Sequence, residues 1–247
     1  MALRFVALAL LGAFAAGMAP ATAAPSADEI LRRADEIRLP QEGFEAQVAI
    51  RSVERGRTAE ERTFKVLSKG NTNTVVMTTA PASERGQILL MKDRDLWLFL
   101  PRVSQPVRLS LAQRLTGQVA NGDMARANFA GDYAAKLAGT ETIGKDAMYV
   151  LDLTANDRKV TYQRVRYWVR QGDYRPHKAE FYSISNRLLK TCRYEDYRSL
   201  AGVLRPARLV MTDALVQGAE STLLYSDMKL RSLPDQIFTK EYLRRLD

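Results

Sequence analysis

Residues 44–51 read Phe44-Glu45-Ala46-Gln47-Val48-Ala49-Ile50-Arg51. Phe44, Ala46, Val48 and Ile50 alternate with Glu45, Gln47 and Arg51, the period of a strand with one wet face. The pattern repeats on both sides of a turn at Arg55-Gly56-Arg57, where Thr58 to Leu67 returns with Phe64 and Val66 inward. After Lys69-Gly70-Asn71, the run Thr72 to Thr79 is rich in β-branched residues. Gln87 to Met91 and Leu96 to Leu100, joined by Asp93-Arg94-Asp95, are apolar on both faces. Such strands are covered on both sides, or keep one face for an apolar ligand.

Working outward, Pro101 to Ser110 reads as short strand or loop and Ser110 to Leu115 as a helical turn. Gly117 to Tyr133 has no clean period and is the longest candidate loop, a length often tied to function. Strand pattern resumes over 134–137, 147–153, 160–170, 176–184, 188–197, 204–212 and 221–230. Ser26 to Arg38 reads as a helix capped by Ser26 with Glu29 three residues on, burying Ile30, Ala34 and Ile37. A last helix is expected over Asp235 to Leu246, with Ile237, Tyr242 and Leu243 as contacts. The count is about ten or eleven strands with a few helices, mainly β (α+β). Helices do not alternate with strands, so a doubly wound fold is not expected.

The first residues read as an address. Arg4 precedes an apolar run from Phe5 to Phe14, and Ala21-Thr22-Ala23 fits a small-x-small cleavage site. The run is shorter than the roughly 20 residues of a membrane span. Residues 1–23 are therefore expected to be a signal peptide, with a single domain over 24–247 in the periplasm. The residue after the expected cut is Ala24, not the cysteine that would carry a lipid anchor.

The chain has 247 residues, 46% hydrophobic and 26% charged, with one Cys and one His. That composition is globular. A lone Cys192 excludes a disulfide within the chain, and Cys/His zinc clusters cannot be assembled. Any Ser-His-Asp or Cys-His site would need His177, which follows a hairpin turn without a nucleophile elbow. The acidic pairs, such as Asp93 and Asp95, suit turns and solvated faces better than paired catalysis. No phosphate loop or dinucleotide fingerprint is present. No enzyme activity, cofactor or metal is expected.

The formal charge is +9, from 37 Lys and Arg against 28 Asp and Glu. The densest basic feature is Arg164-x-Arg166-x-Trp168-x-Arg170, four residues on one face of a strand. It reads either as an outward charged face with Trp168 under an arginine stem, or as a docking patch for anionic headgroups or an acidic partner. Nucleic acid would also use a basic patch, but export argues against it.

Several stretches are familiar together: Asp95-Leu-Trp-Leu-Phe-Leu-Pro101, Arg108 to Gly117 leading to Gly122-Asp123, Tyr174-Arg-Pro-His-Lys178, and Leu233-Pro-Asp-Gln-Ile-Phe238. With them the chain resembles the outer-membrane lipoprotein-sorting protein family of LolA-like periplasmic carriers. The resemblance implies an open antiparallel half-barrel covered by a few helices, LolA/LolB-like, which shields lipid or lipoprotein acyl chains in transit. It also implies, as the alternative, an adaptor of an inner-membrane exporter of the resistance-nodulation-division type without its own cargo. Membrane contact would be peripheral and the protein a monomer. The lipid-cavity candidates are Phe44, Val48, Ile50, Phe64, Val66, Met77, Leu90, Trp97 and Phe99. The N-terminal helix and the loop holding Asn121, Asp123 and Phe129 are the candidate lids.

Overall fold

The computed structural model describes residues 24–243 apart from residue 71. The expected signal peptide therefore lies outside the described residues. Helix α1 (Ala27–Arg38) opens at Ser26, whose hydroxyl accepts the Glu29 N–H at 3.1 Å. Asp28 and Glu29 in its first turn and Arg38 in its last suit the helix dipole.

A first meander follows: β1 (Phe44–Val53), β2 (Glu60–Lys69), β3 (Asn73–Ala80), β4 (Ile88–Lys92), β5 (Asp95–Phe99) and β6 (Val107–Leu109). A small hairpin, β7 (Arg114–Thr116) with β8 (Val119–Ala120), leads into α2 (Asn121–Ala125). The second meander is β9 (Tyr133–Ile143), β10 (Asp146–Ala155), β11 (Arg164–Arg170), β12 (Pro176–Tyr182), β13 (Leu188–Leu200), β14 (Val203–Asp213) and β15 (Glu220–Leu230). The chain then makes a 3-10 turn at Asp235–Phe238 and a last helical turn, α3 (Lys240–Leu243).

Thirteen strands form one antiparallel sheet in the order β6-β5-β4-β3-β2-β1-β15-β14-β13-β12-β11-β10-β9. The two meanders join at its middle, where β1 pairs with β15 and Ser52 stands opposite Ser221. The open edges are β6 and β9. Register shifts between β1 and β15, β2 and β3, β9 and β10, β11 and β12, and β12 and β13 mark bulges, which bend and twist a sheet. The chain between the two edges, residues 110–132, does not close the barrel. It lies on the inner face, where Leu111, Val119, Met124, Ala125 and Phe129 join the core.

Alternation sets which side chains point in. Val48, Ile50, Phe64 and Val66 fall in the same cluster as Leu151, Val165, Tyr167 and Leu209, with Ile30, Leu31 and Ala34 of α1 packed on them. The two-sided strands have a second core. Val75, Ile88, Leu90 and Phe99 meet Leu233, Ile237, Phe238 and Leu243 of the C-terminal segment on the outer face.

The strand count exceeds the expected ten or eleven because the short β6, β7 and β8 carry little periodicity. The helical turn expected near 110–115 is a turn running into β7. The last helix is split at Thr239, whose hydroxyl accepts the Tyr242 N–H at 3.2 Å and starts a new helical turn. Ile237 and Leu243 are buried as expected, while Tyr242 is exposed. In α1, Leu31, Asp35 and Arg38 are buried with Ile30 and Ala34, and Ile37 sits at the margin.

Candidate functional site: a plugged inner wall

The inner wall has two halves of different chemistry. On the β1–β5 side it is aliphatic and phenyl: Val48, Ile50, Phe64, Val66, Val76, Leu89, Met91 and Leu96. On the β9–β13 side it is rich in tyrosine: Tyr133, Tyr167 and Tyr194, with Tyr162 from the turn before β11. Both halves are covered by a plug made of α1 and residues 111–132.

Polar contacts hold the plug together and pin it to the sheet. Asp35 of α1 accepts the backbone N–H groups of Phe129 at 2.8 Å and Ala130 at 2.7 Å, and Arg38 lies 3.4 Å from its other oxygen. Burial pushes the Asp35 carboxyl up from 3.8 to about 6, although Arg38 and the two N–H groups pull the other way. The Arg38 guanidinium sits over the rings of Phe129 at 4.5 Å and Tyr194 at 5.4 Å. Arg205 of β14 donates to the carbonyls of Glu36 and Ile37, tying down the C-terminal end of α1.

Two residues beyond Ala130, Asp132 is 2% exposed and bound twice by Arg126 and once by Arg94, at 3.0 Å. Arg94 also reaches Asp157 at 3.1 Å, and Arg126 donates to the Asp93 carbonyl at 2.8 Å. This cluster ties the plug to the β4–β5 turn. Two glycines set the plug's close approach to the sheet. A Cβ at Gly122 would collide with the Thr161 hydroxyl, and one at Gly117 with Ser52 and Ser221.

Asp35 makes the stability of the plugged state pH-dependent. A carboxyl raised in the folded state adds stability below its unfolded value, and loses it as pH rises through about 6. Between pH 7 and pH 5 the wild type should therefore gain on the order of 1 kcal/mol relative to Asp35→Asn. Burial and Lys178 lower the His177 pKa, an opposing effect that both proteins share. Urea melts of the two proteins at the two pH values check this, and parallel pH slopes would refute it.

Two cavities of about 20 Å³ each lie on the inner side. One is lined by Arg38, Phe129, Tyr133 and Tyr162, the other by Phe44, Val66, Met124 and Tyr225. Small-molecule pockets run from about 300 Å³ upward, so a lipid chain enters only where the plug leaves.

Of the nine expected cavity residues, Val48, Ile50, Phe64 and Val66 line the inner wall, and Phe44 lies at its end beside Leu39 and Tyr225. Met77, Leu90, Trp97 and Phe99 face the other way, into the outer core under the C-terminal segment. That corrects the expected single set: strands apolar on both sides serve two cores. Lys240 covers Trp97, its Nζ 4.0 Å from the ring centroid.

The candidate lid residues all belong to the plug. Asn121 donates to the Ser110 carbonyl at 3.0 Å, and Asp123 accepts the Ala120 N–H at 2.8 Å. Phe129 packs edge-on against Tyr167 at 5.2 Å and Tyr133 at 5.5 Å.

The basic stretch lies on the outer face. Trp168 is buried there under Arg166 and Lys178, its indole N–H donating to Glu141 at 2.8 Å, and so offers no exposed surface. Arg170 is held by Asp173 and Asp146, Arg166 lies 3.6 Å from Asp152, and Arg164 donates to Asn186 at 2.7 Å. His177 is the second residue of β12, beside Arg170 and Tyr197 in a cleft of about 210 Å³. Cys192 is fully buried on the inner wall, and burial pushes its thiol up to about 12, which keeps it protonated and unreactive.

Sequence reasoning missed Asp35, Arg38, Asp132 and Arg205, because their partners are distant in the chain. It also missed Lys190, which the alternation Lys190-x-Cys192-x-Tyr194 places on the inner face.

A large antiparallel sheet, open at both edges and covered inside by the chain that links those edges, defines the class: plugged half-barrels. The crystal structure of the LolA superfamily protein NE2245 from Nitrosomonas europaea is 59% identical, covers 89% of this chain and 100% of its own, and superposes with a TM-score of 0.85. The chain belongs to the LolA superfamily. A DUF1329 family protein from Desulfovibrio piger shares the fold at 20% identity and a TM-score of 0.76, covering 88% of this chain and 97% of its own. A putative outer membrane lipoprotein-sorting protein domain from Vibrio parahaemolyticus does so at 21% identity and 0.76, covering 89% and 98%. A family model described as "Uncharacterized protein" matches residues 70–245. No functionally curated protein matches the chain.

Proposed function

We propose that the protein is a non-enzymatic periplasmic carrier. It shields lipid or lipoprotein acyl chains on its inner wall and moves them toward the outer membrane. One observation carries this reading: the apolar wall is covered by a separate layer, α1 and residues 111–132, that polar contacts pin to β14 and to the β4–β5 turn. Displacing that layer exposes a continuous apolar trough from β1 to β5. Each CH₂ buried there gains about 0.8 kcal/mol, so a diacyl chain offsets the loss of the plug's own contacts. The lipoprotein-sorting domain from Vibrio parahaemolyticus, with the same fold, supports the reading.

Native mass spectrometry of protein purified without detergent tests it, with extraction of bound lipid. A phospholipid or acylated peptide at near-stoichiometric amount is the expected result. A Cβ built on Gly122 would lie 3.0 Å from the Thr161 Cβ, so a G122C/T161C disulfide would fix the plug to the segment that leads into β11. Uptake should stop in the oxidised protein and return on reduction. A clean apo mass, with no uptake from added lipid, would reject the carrier.

The filled interior favours a second reading, a scaffold for an inner-membrane exporter that holds no cargo of its own. The same measurement separates the two.

A further inference from the structure

One end of the inner wall is polar, and Lys190, Tyr162 and Ser221 there are paired with the plug. Lys190 of β13 donates through Nζ to the Gln118 carbonyl and stands 3.9 Å from the Asp123 carboxylate. The Tyr162 hydroxyl donates to the same carboxylate at 2.8 Å. Ser221 of β15 accepts the Gln118 N–H at 2.9 Å and shares a hydrogen bond with Ser52 of β1 at 2.8 Å. The Lys190 side chain is 14% exposed and that of Asp123 7%. Asp213, opposite Lys190 in the register, is engaged elsewhere, accepting the Leu215 and Val216 N–H groups at 2.6 and 3.0 Å.

Once the plug leaves, a lysine and a phenol on the wall lose their acceptors. Water hydrates them while the wall stands open, but hydrocarbon laid over them would bury an ammonium and a hydroxyl without partners, at a cost in free energy. An occupant that takes the plug's place must bring negative charge to this end and hydrocarbon to the rest. We propose that Asp123 is an internal stand-in for the anionic headgroup of the cargo. Lys190 and Tyr162 form a headgroup subsite, and the cargo is an amphiphile with a phosphate or carboxylate head. Burial and the Asp123 charge raise the Tyr162 pKa, so its hydroxyl stays a proton donor to an anion. This inference rests on the carrier reading and names the cargo class for it.

The test loads the full protein from detergent-free phosphatidylglycerol vesicles carrying a minor share of diacylglycerol with the same chains but no phosphate, and counts each bound lipid, relative to its share of the vesicle, by native mass spectrometry. The wild type should prefer phosphatidylglycerol by roughly tenfold, the worth of one charge-assisted hydrogen bond. Lys190→Gln should bring that ratio to about one, and Lys190→Arg, which keeps the charge, should restore it. Asp123→Asn should raise phosphatidylglycerol uptake several-fold, because the competing carboxylate is gone. Glycerol phosphate at equal concentration should not displace bound lipid, since it lacks the chains; displacement would assign the subsite to free phosphate and overturn the proposal. Equal uptake of both lipids by the wild type, or an unchanged ratio in Lys190→Gln, would also overturn it and leave the carrier intact. Uptake of neither lipid would remove both.

Discussion

Asp132→Asn is expected to destabilise the protein by about 3–5 kcal/mol in urea denaturation at pH 7, the usual cost of removing one partner of a buried ion pair. Asp132 is 2% exposed and receives donors from both Arg126 and Arg94. Asparagine keeps one acceptor oxygen but turns an NH₂ group toward the other guanidinium. The Arg126 side chain, itself 9% exposed, would then be buried against a donor. The effect should concentrate in the plug. Amides of residues 126–133 should exchange faster, while those of β13 and β14 in the second meander keep most of their protection. A change below about 1 kcal/mol, with unaltered exchange in that segment, would show that the cluster does not hold the plug.

Phe64→Ala is the second large effect, also expected at about 3–5 kcal/mol. Phe64 is 2% exposed in the middle of the inner wall, with Val48 beside it on β1. Its loss leaves a void between wall and plug that close-packed neighbours fill only in part. The midpoint of thermal unfolding should fall by about 10 °C for a chain of this size. Phe64→Leu, which keeps most of the volume, should recover more than half of that. A Phe64→Ala protein as stable as wild type would mean that the wall and plug are not packed as described.

Much of this architecture was legible in local pattern. The alternation at 44–51 and 60–66 follows directly from a pleated strand with one buried face, and the structure places those residues on the inner wall. The Ser26 cap is a short-range signal, and its hydroxyl accepts the Glu29 N–H. What stayed hidden has a physical cause. In Ile88 to Met91 both faces are apolar, and period alone cannot say which face meets the plug and which the C-terminal segment. Asp35 reads as a solvated helix residue until Phe129, far along the chain, supplies an N–H to it. Lys190 and Asp132 likewise look like surface charges until their partners are known. The basic stretch around Trp168 looks exposed, yet the acids that neutralise it stand on neighbouring strands. Pairing across the fold is invisible to spacing along the chain.

The junction of β1 with β15 also governs how this molecule is assembled. Ser52 and Ser221, hydrogen-bonded across that junction, are 169 residues apart in the chain. The sheet is thus seamed at its centre by its first and last strands, while both free edges belong to the middle of the chain. Contacts of such long range slow folding, because loop-closure entropy is lost before the ladder forms. A nascent chain must keep the β1 edge unpaired until β15 arrives. Trimming the chain before β15 would not shorten the sheet from its rim but split it through the middle, parting the two meanders along their shared seam.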